Sequence, residues 1–399
     1  MRAGPWLRLL ALASAAGVGA VVATGEWGLA HDLAAHLTLA LLAAAALTVR
    51  LAYPDRRGLF ATATASFLLF GLAGLAALAG APAGAHLSLG GLALAAVVVG
   101  AAIAFRDGSP APAGSWRDYV TLTKPRIMVL LLITAFGGMA VGAQGLPGAG
   151  LTLATLGGLA LACGGASALN HVLDRDIDTQ MRRTAKRPVA SGRVDPARAL
   201  EFGLALSALS FVLLTSFVNV LAALLALAGN LFYVLVYTRW LKRSTPQNIV
   251  IGGAAGAVPP LVGWAAATGN LTLPALFLFL IVFFWTPPHF WALALLIKRD
   301  YEEAGVPMLP VVRGERETAR SIVLYSLLLV AVTLLPVFSR TLGVVYLASA
   351  LLLGLVFVAL ALGLERETTP ARARRLFSYS LAYLALLFVA MAVDPSVLS

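Results

Sequence analysis

The sequence predicts an all-α polytopic membrane protein, and three observations lead there. Hydrophobic residues make up 60% of the 399-residue chain and charged residues only 12%, too little polar surface for a water-soluble protein of this length. Apolar runs near 20 residues recur along the chain, the length that crosses a hydrocarbon core of about 30 Å at a rise of about 1.5 Å per residue. The loops rich in Lys and Arg fall on alternate sides of those runs.

Four apolar runs come first, beginning near Trp6, Leu33, Leu59 and His86. They form an N-terminal four-helix transmembrane extension over residues 1–105. Arg2 and Arg8 before the first run would also suit a signal peptide, but the run is long enough to span a bilayer and more spans follow at once, which favours a retained helix. The polar stretch Arg106 to Arg126 contains DGSPAPAGS and predicts a linker over 106–117. The second unit, 118–399, holds nine further spans, near 127–144, 149–169, 199–217, 219–238, 247–267, 271–297, 318–338, 342–363 and 376–393.

The formal charge of +11 is distributed as topology rather than gathered into a polar domain, so no nucleic-acid partner is expected. Arg50, Arg56 and Arg57 share a side with Arg117, Lys124 and Arg126, with the loop from Arg175 to Arg198, with Arg239, Lys242 and Arg243, and with the loops from Lys298 and Arg366. The opposite loops are short and uncharged apart from Arg340. The positive-inside rule then predicts a cytoplasmic N-terminus and an outer C-terminus in a plasma membrane. The single cysteine, Cys163, lies in an apolar run and excludes both an intramolecular disulfide and a multi-cysteine metal site.

The chemistry concentrates in two loops on the predicted inner side. After the sixth span the chain reads Asn170-His-Val-Leu-Asp174-Arg-Asp176-Ile-Asp178. If the helix continues, Asn170, Asp174 and Asp178 form one polar stripe at the water edge of an apolar bundle. Such a stripe suits Mg²⁺, which takes one or two carboxylates plus water and phosphate oxygens. Lys186, Arg187 and Arg193 follow and can hold phosphate directly. The second loop, Lys298-Arg-Asp300-Tyr301-Glu302-Glu303, ends the tenth span on the same side. Two facing acidic loops can bridge one diphosphate through cations, with Asp300 and Glu302 on the second and Lys298 beside them. Between the loops lies the basic cluster Tyr237-Thr-Arg239-Trp-Leu-Lys242-Arg243, either a topological anchor or a diphosphate grip.

The pattern NxxxDxxxD with its downstream KRP at 186–188 resembles the UbiA superfamily of intramembrane prenyltransferases. The strings DYVTLTKPRI (118–127), TPQNIVIGGAAGAVPPLVGW (245–264), WTPPHFWALAL (285–295) and DYEEAGVPMLPVV (300–312) resemble the branch of that superfamily that farnesylates heme. The resemblance covers about 118–395. It implies nine helices around a central cavity and Mg²⁺-dependent transfer of farnesyl from farnesyl diphosphate to heme b, giving heme O. By position it assigns Asn170, Asp174 and Asp178 to the first metal motif, and Tyr237, Lys242 and Arg243 to the basic motif. The second loop departs from the DxxxD of the superfamily, because four-residue spacing pairs Lys298 with Glu302 and leaves Asp300 between, so its individual ligands are not fixed.

Five histidine readings remain open or secondary. His289, in PPHF on the tenth span, is either a hydrogen-bonded core residue or a heme contact, as iron ligand or propionate partner. His171, beside Asn170, could equally be loop surface and is assigned no role. In the extension, His31, His36 and His86 sit near the outer side, and TGEWGLAHDLAAHLTLALL weakly resembles half of a heme A synthase. A structural extension with interfacial histidines is the favoured account of it, and an association with heme A synthase is a further expectation. The rival functions are prenylation of a quinone precursor or other aromatic ring, and a non-catalytic transporter or heme-handling scaffold, which gives no reason for two acidic loops on one side.

Overall fold

The computed structural model describes residues 57–78 and 114–394, together with a few isolated positions elsewhere. Of the N-terminal extension, only helix α1, Arg57–Leu78, falls within this range as an element, where the third span is expected. His31, His36 and His86 lie outside the described residues.

Beyond it come α2 (Trp116–Thr123), α3 (Pro125–Ala143), α4 (Ala149–Leu173), α5 (Arg175–Gln180), α6 (Pro196–Phe217), α7 (Val220–Ser244), α8 (Asn248–Thr268), α9 (Leu273–Leu296), α10 (Lys298–Glu303), α11 (Gly314–Phe338), α12 (Val344–Arg366) and α13 (Pro370–Val393). Among the described residues nine helices are long and apolar enough to cross a membrane, and all nine fall where the apolar runs predict them. Several begin earlier than the runs do. Pro196 and Pro370 start α6 and α13 behind the capping side chains of Asp195 and Thr369, polar first turns that hydropathy alone does not register. The linker also ends sooner than expected, because Ser115 and Asp118 form a capping box that starts α2 at Trp116.

Consecutive long helices pack on one another, and α3 closes the arrangement by lying against α4, α8 and α13. The α3–α8 crossing depends on absent side chains. A Cβ at Gly138 would strike the Pro260 backbone, and one at Gly263 would strike the Ala135 backbone. Backbone-to-backbone approach through small residues is how helices associate where lipid removes the hydrophobic drive. The largest buried cluster joins α3, α8, α9, α11, α12 and α13 and includes Trp285, Tyr346, Phe357, Tyr383 and Phe388. The polar residues of interest gather at one end, where α4, α5, α7 and α10 meet.

Candidate active site

The first motif is a stripe, as its spacing predicts, although the helix is not continuous. α4 stops at Leu173, Asp174 takes a non-helical φ/ψ of −92°/4°, and α5 resumes at Arg175. The Asp174 N–H still bonds the Asn170 carbonyl and the Asp178 N–H bonds the Asp174 carbonyl, so the four-residue register survives the break. What the sequence does not show is depth. Asn170, Asp174 and Asp178 are each at most 3% exposed, so these are buried groups rather than a solvated edge.

Buried carboxylates require partners, and the fold supplies one cation for each. Lys242 Nζ lies 2.5 Å from Asp174 Oδ2. Arg187 reaches both oxygens of Asp178 at 2.8 Å. Arg243 forks onto Asp176 at 2.7 Å and gives its second nitrogen to the Leu173 carbonyl. That pairing outweighs the opposing effect of burial and pulls the Asp176 carboxyl down to about 2. Thus Arg187, Lys242 and Arg243 converge on the acidic stripe, whereas Lys186 stays exposed and offers its carbonyl to Arg193. Arg193 is bound to Asp118 on α2, which with the Ser115 cap holds that carboxyl near 2.

Lys242 and Arg243 follow a long π-helical stretch, Phe232–Leu241, within α7. Wide turns of this kind are rare and frequent at functional sites. Here the stretch turns Thr238 onto the first motif and stacks Tyr237 on Tyr233 at 5.5 Å. Tyr237 lies over Gly252 of α8, where any Cβ would run into its ring.

Lys124 is the site residue that sequence reasoning missed, having been counted only as a topological charge. It is held in a left-handed conformation, φ 50°, between α2 and α3, and its Nζ donates to Asn170 Oδ1 at 2.8 Å. Burial first, then the neighbouring Arg187, lowers its ammonium to about 7. The bond also orients Asn170, whose Nδ2 donates to Asp174 Oδ2 at 2.7 Å and to Thr238 Oγ1 at 3.2 Å. Nothing in the sequence sets Lys124 apart from the neighbouring basic residues, because its positive φ ahead of Pro125 is visible only in the structure.

The second loop meets the first. The Arg183 N–H donates to Asp300 Oδ2 at 3.3 Å, and Arg182 lies 3.9 Å from Glu303. Asp300 therefore faces the loop that follows the first motif, whereas Glu302 pairs with Lys298. Lys298 is not brought into the cluster, since it lies 3.6 Å from Glu302 and 3.2 Å from Glu315 and ties α10 to the start of α11. Tyr301, unassigned by the sequence, is buried, and that burial raises its phenol, which stays a neutral O–H.

Among the described residues no three Asp, Glu, His or Cys side chains converge into a ready-made metal cage. The residues nevertheless fit Mg²⁺ as an ion shared with a phosphate ligand, which needs only one or two protein carboxylates. Asp174 Oδ1 is the telling atom: it is buried without a hydrogen bond, and the Arg243 guanidinium stands 3.8 Å away. His171, left without a role by the sequence, is buried at the end of α4 with neither ring nitrogen bonded, which removes the loop-surface alternative.

His289 is 8% exposed on α9. Its ring lies between Trp285 at 4.3 Å and Phe377 at 4.9 Å, and Nδ1 is 2.7 Å from Ser380 Oγ on α13. It belongs to the apolar body of the bundle, away from the charged end.

Residues 131–389 match the UbiA prenyltransferase family model. A protoheme IX farnesyltransferase from Symbiobacterium thermophilum is 58% identical over 280 residues, covering 70% of this chain and 94% of that protein. One from Chloroflexus aurantiacus is 44% identical and aligns with 98% of this chain and 71% of its own length. The chain spans about half of the length of other relatives of that name, 52% for one from Roseiflexus and 46% for one from Thermus thermophilus. Among solved structures, a digeranylgeranylglyceryl phosphate synthase superposes with a TM-score of 0.59 at 19% identity, over 70% of this chain and 97% of that one. A UbiA homolog from Archaeoglobus fulgidus, bound to DMAPP and Mg²⁺, gives 0.52 at 17% identity, over 69% of this chain and 99% of that one. With the fold, the acidic stripe and the matching family model in agreement, the chain is a member of the UbiA prenyltransferase family.

Proposed function

We propose that this protein transfers the farnesyl group of farnesyl diphosphate to a vinyl group of heme b, giving heme O and diphosphate, at a site formed by Asn170, Asp174, Asp178 and Asp300. The observation that carries the reaction class is the buried Asp174 carboxylate, with one oxygen unbonded and Lys124, Lys242, Arg187 and Arg243 gathered around the stripe, at the end of an apolar bundle. The names of the relatives at 44–58% identity support farnesyl as donor and heme as acceptor.

Asp174 and Asp178, with Asp300 opposite, would hold Mg²⁺, which when bound neutralises the diphosphate as it leaves. The chain's own cations do the rest of the charge work. Lys242 and Arg187 are paired with the carboxylates of Asp174 and Asp178. A diphosphate brings its own anionic oxygens, and the same ammonium and guanidinium groups can turn to them without new charge being buried. Lys124, lowered to about 7 by burial and then by Arg187, is restored to its charged form by such an anion.

As the allylic C–O bond breaks, its electron pair leaves with the diphosphate and the farnesyl cation lies in the apolar bundle, shielded from water. The vinyl π pair then forms the C–C bond. Water adds to the resulting cation and loses a proton, leaving a hydroxyethylfarnesyl group. His289 is the proposed heme contact. The charged end faces the cytoplasm of a plasma membrane, as the basic loops require, and a heme A synthase that consumes heme O is the partner this reading names.

The deciding experiment incubates the purified full chain with heme b, farnesyl diphosphate and Mg²⁺ and analyses the products by mass. Formation of heme O supports the reading. Farnesyl transfer to an aromatic quinone precursor but not to heme replaces it with the rival prenyltransferase.

A further inference from the structure

We propose that Ser380 is a positioning residue that fixes His289 in one tautomer, with the Nε2 lone pair presented as an axial ligand to the iron of heme b. The proposal rests on heme being the acceptor.

The argument begins with a single proton. Ser380 Oγ donates to the Phe377 carbonyl at 2.7 Å, the ordinary back-bond of a serine within a helix. The same Oγ lies 2.7 Å from His289 Nδ1. A hydroxyl has one hydrogen, so both bonds coexist only when Nδ1 carries a proton and donates to Oγ. A neutral imidazole then has its lone pair on Nε2.

Nothing in the surroundings allows the ring to exchange its two nitrogens. Trp285 and Phe377 cover its two faces at 4.3 Å and 4.9 Å, nearly parallel to it at 15° and 23°. Trp285 is itself pinned, because its Nε1 donates to the Ser380 carbonyl at 2.8 Å. Ser380 therefore fixes both the histidine and one wall of its slot. Among the described residues Nε2 has no hydrogen-bond partner, and it is not one of the nitrogens sealed in without one.

A histidine kept for packing alone gives no reason to hold Nε2 both reachable and unpaired, whereas a ligand awaiting an incoming group needs both. The arrangement matches that of metal-bound histidines, which donate the remote N–H to an oxygen, so that tautomer and ring plane are set before the metal arrives. It also distinguishes the two forms of heme contact. A propionate would need a donor at Nε2, whereas this tautomer presents a lone pair, which suits iron.

The test titrates ferric heme b into the purified full-length protein and follows the Soret band. The parent is expected to give the spectrum of a histidine-bound heme, His289→Ala to lose it, and added imidazole to restore it. Ser380→Ala should weaken heme binding roughly 10- to 100-fold, as loss of an outer partner does at other metal-bound histidines. Ser380→Thr should keep the affinity, and farnesyl diphosphate binding should stay unchanged in all three variants, which also shows that they are folded. An unchanged Soret spectrum in His289→Ala overturns the proposal even if heme O is still made, and the functional reading then stands without it. A histidine-dependent spectrum in a protein that makes no heme O leaves the ligand assignment standing and removes the reaction.

Discussion

Replacing Asp174 by Asn should cost both turnover and stability, and the two losses should separate on addition of a second substitution. Asp174 is fully buried and accepts from Lys242 at 2.5 Å and from Asn170 at 2.7 Å. The asparagine removes the carboxylate but leaves the Lys242 ammonium in the same pocket, itself only 9% exposed. Stranding one member of a buried pair costs about 3–5 kcal/mol. The sequence alone places Asp174 at a water edge, where the change should leave the fold untouched, so the stability loss is a consequence of the tertiary structure. Lys242→Met in the same chain removes the stranded charge and should recover most of that loss. Turnover should remain orders of magnitude below the parent, because neither variant restores the carboxylate oxygen proposed to bind Mg²⁺. Thermal unfolding of the detergent-purified single and double variants, beside heme O formation by each, makes the comparison. A double variant no more stable than Asp174→Asn would refute the pairing argument, and turnover near the parent in Asp174→Asn would refute the site.

Lys124→Met should lower kcat/KM for farnesyl diphosphate roughly 10- to 100-fold, the equivalent of one charge-assisted hydrogen bond of about 1.5–3 kcal/mol, measured with heme b saturating. Unchanged kinetics would return Lys124 to a topological role. EDTA should abolish turnover and added Mg²⁺ should restore it, in an activity assay that follows each addition. Deleting residues 1–110 should leave a chain that inserts and makes heme O, since four predicted spans keep the orientation and Arg117, Lys124 and Arg126 remain to fix α3. The Symbiobacterium relative, 94% of which is covered by 70% of this chain, supports a self-sufficient C-terminal unit. A truncated protein that reaches the membrane but is inactive would assign the extension a part in catalysis or heme delivery.

How far the sequence reaches differs between spans and site. The nine spans are legible because lipid demands about 20 apolar residues for each crossing, a local property that no neighbour can alter. Their starts are less so. Pro196 and Pro370 carry α6 and α13 back into polar first turns, whose helicity depends on the Asp195 and Thr369 caps. The acidic stripe is legible too, since four-residue spacing puts Asn170, Asp174 and Asp178 on one face despite the break at Asp174.

What the sequence by itself determined, then, is the membrane class, the spans of the C-terminal unit, the acidic and basic motifs, and the family resemblance those strings carry. Tertiary structure alone decided the pairing. Lys124 meets Asn170 across 46 residues, Lys242 meets Asp174 across 68, and the Arg183 backbone meets Asp300 across 117. It separated Asp300 from Glu302 and Lys298, and it placed Ser380 91 residues along the chain from His289. The reason is physical. Span length and helical period act between near neighbours and are written in local order, whereas the cost of a buried charge is met only by whichever group the packing of distant helices brings within reach.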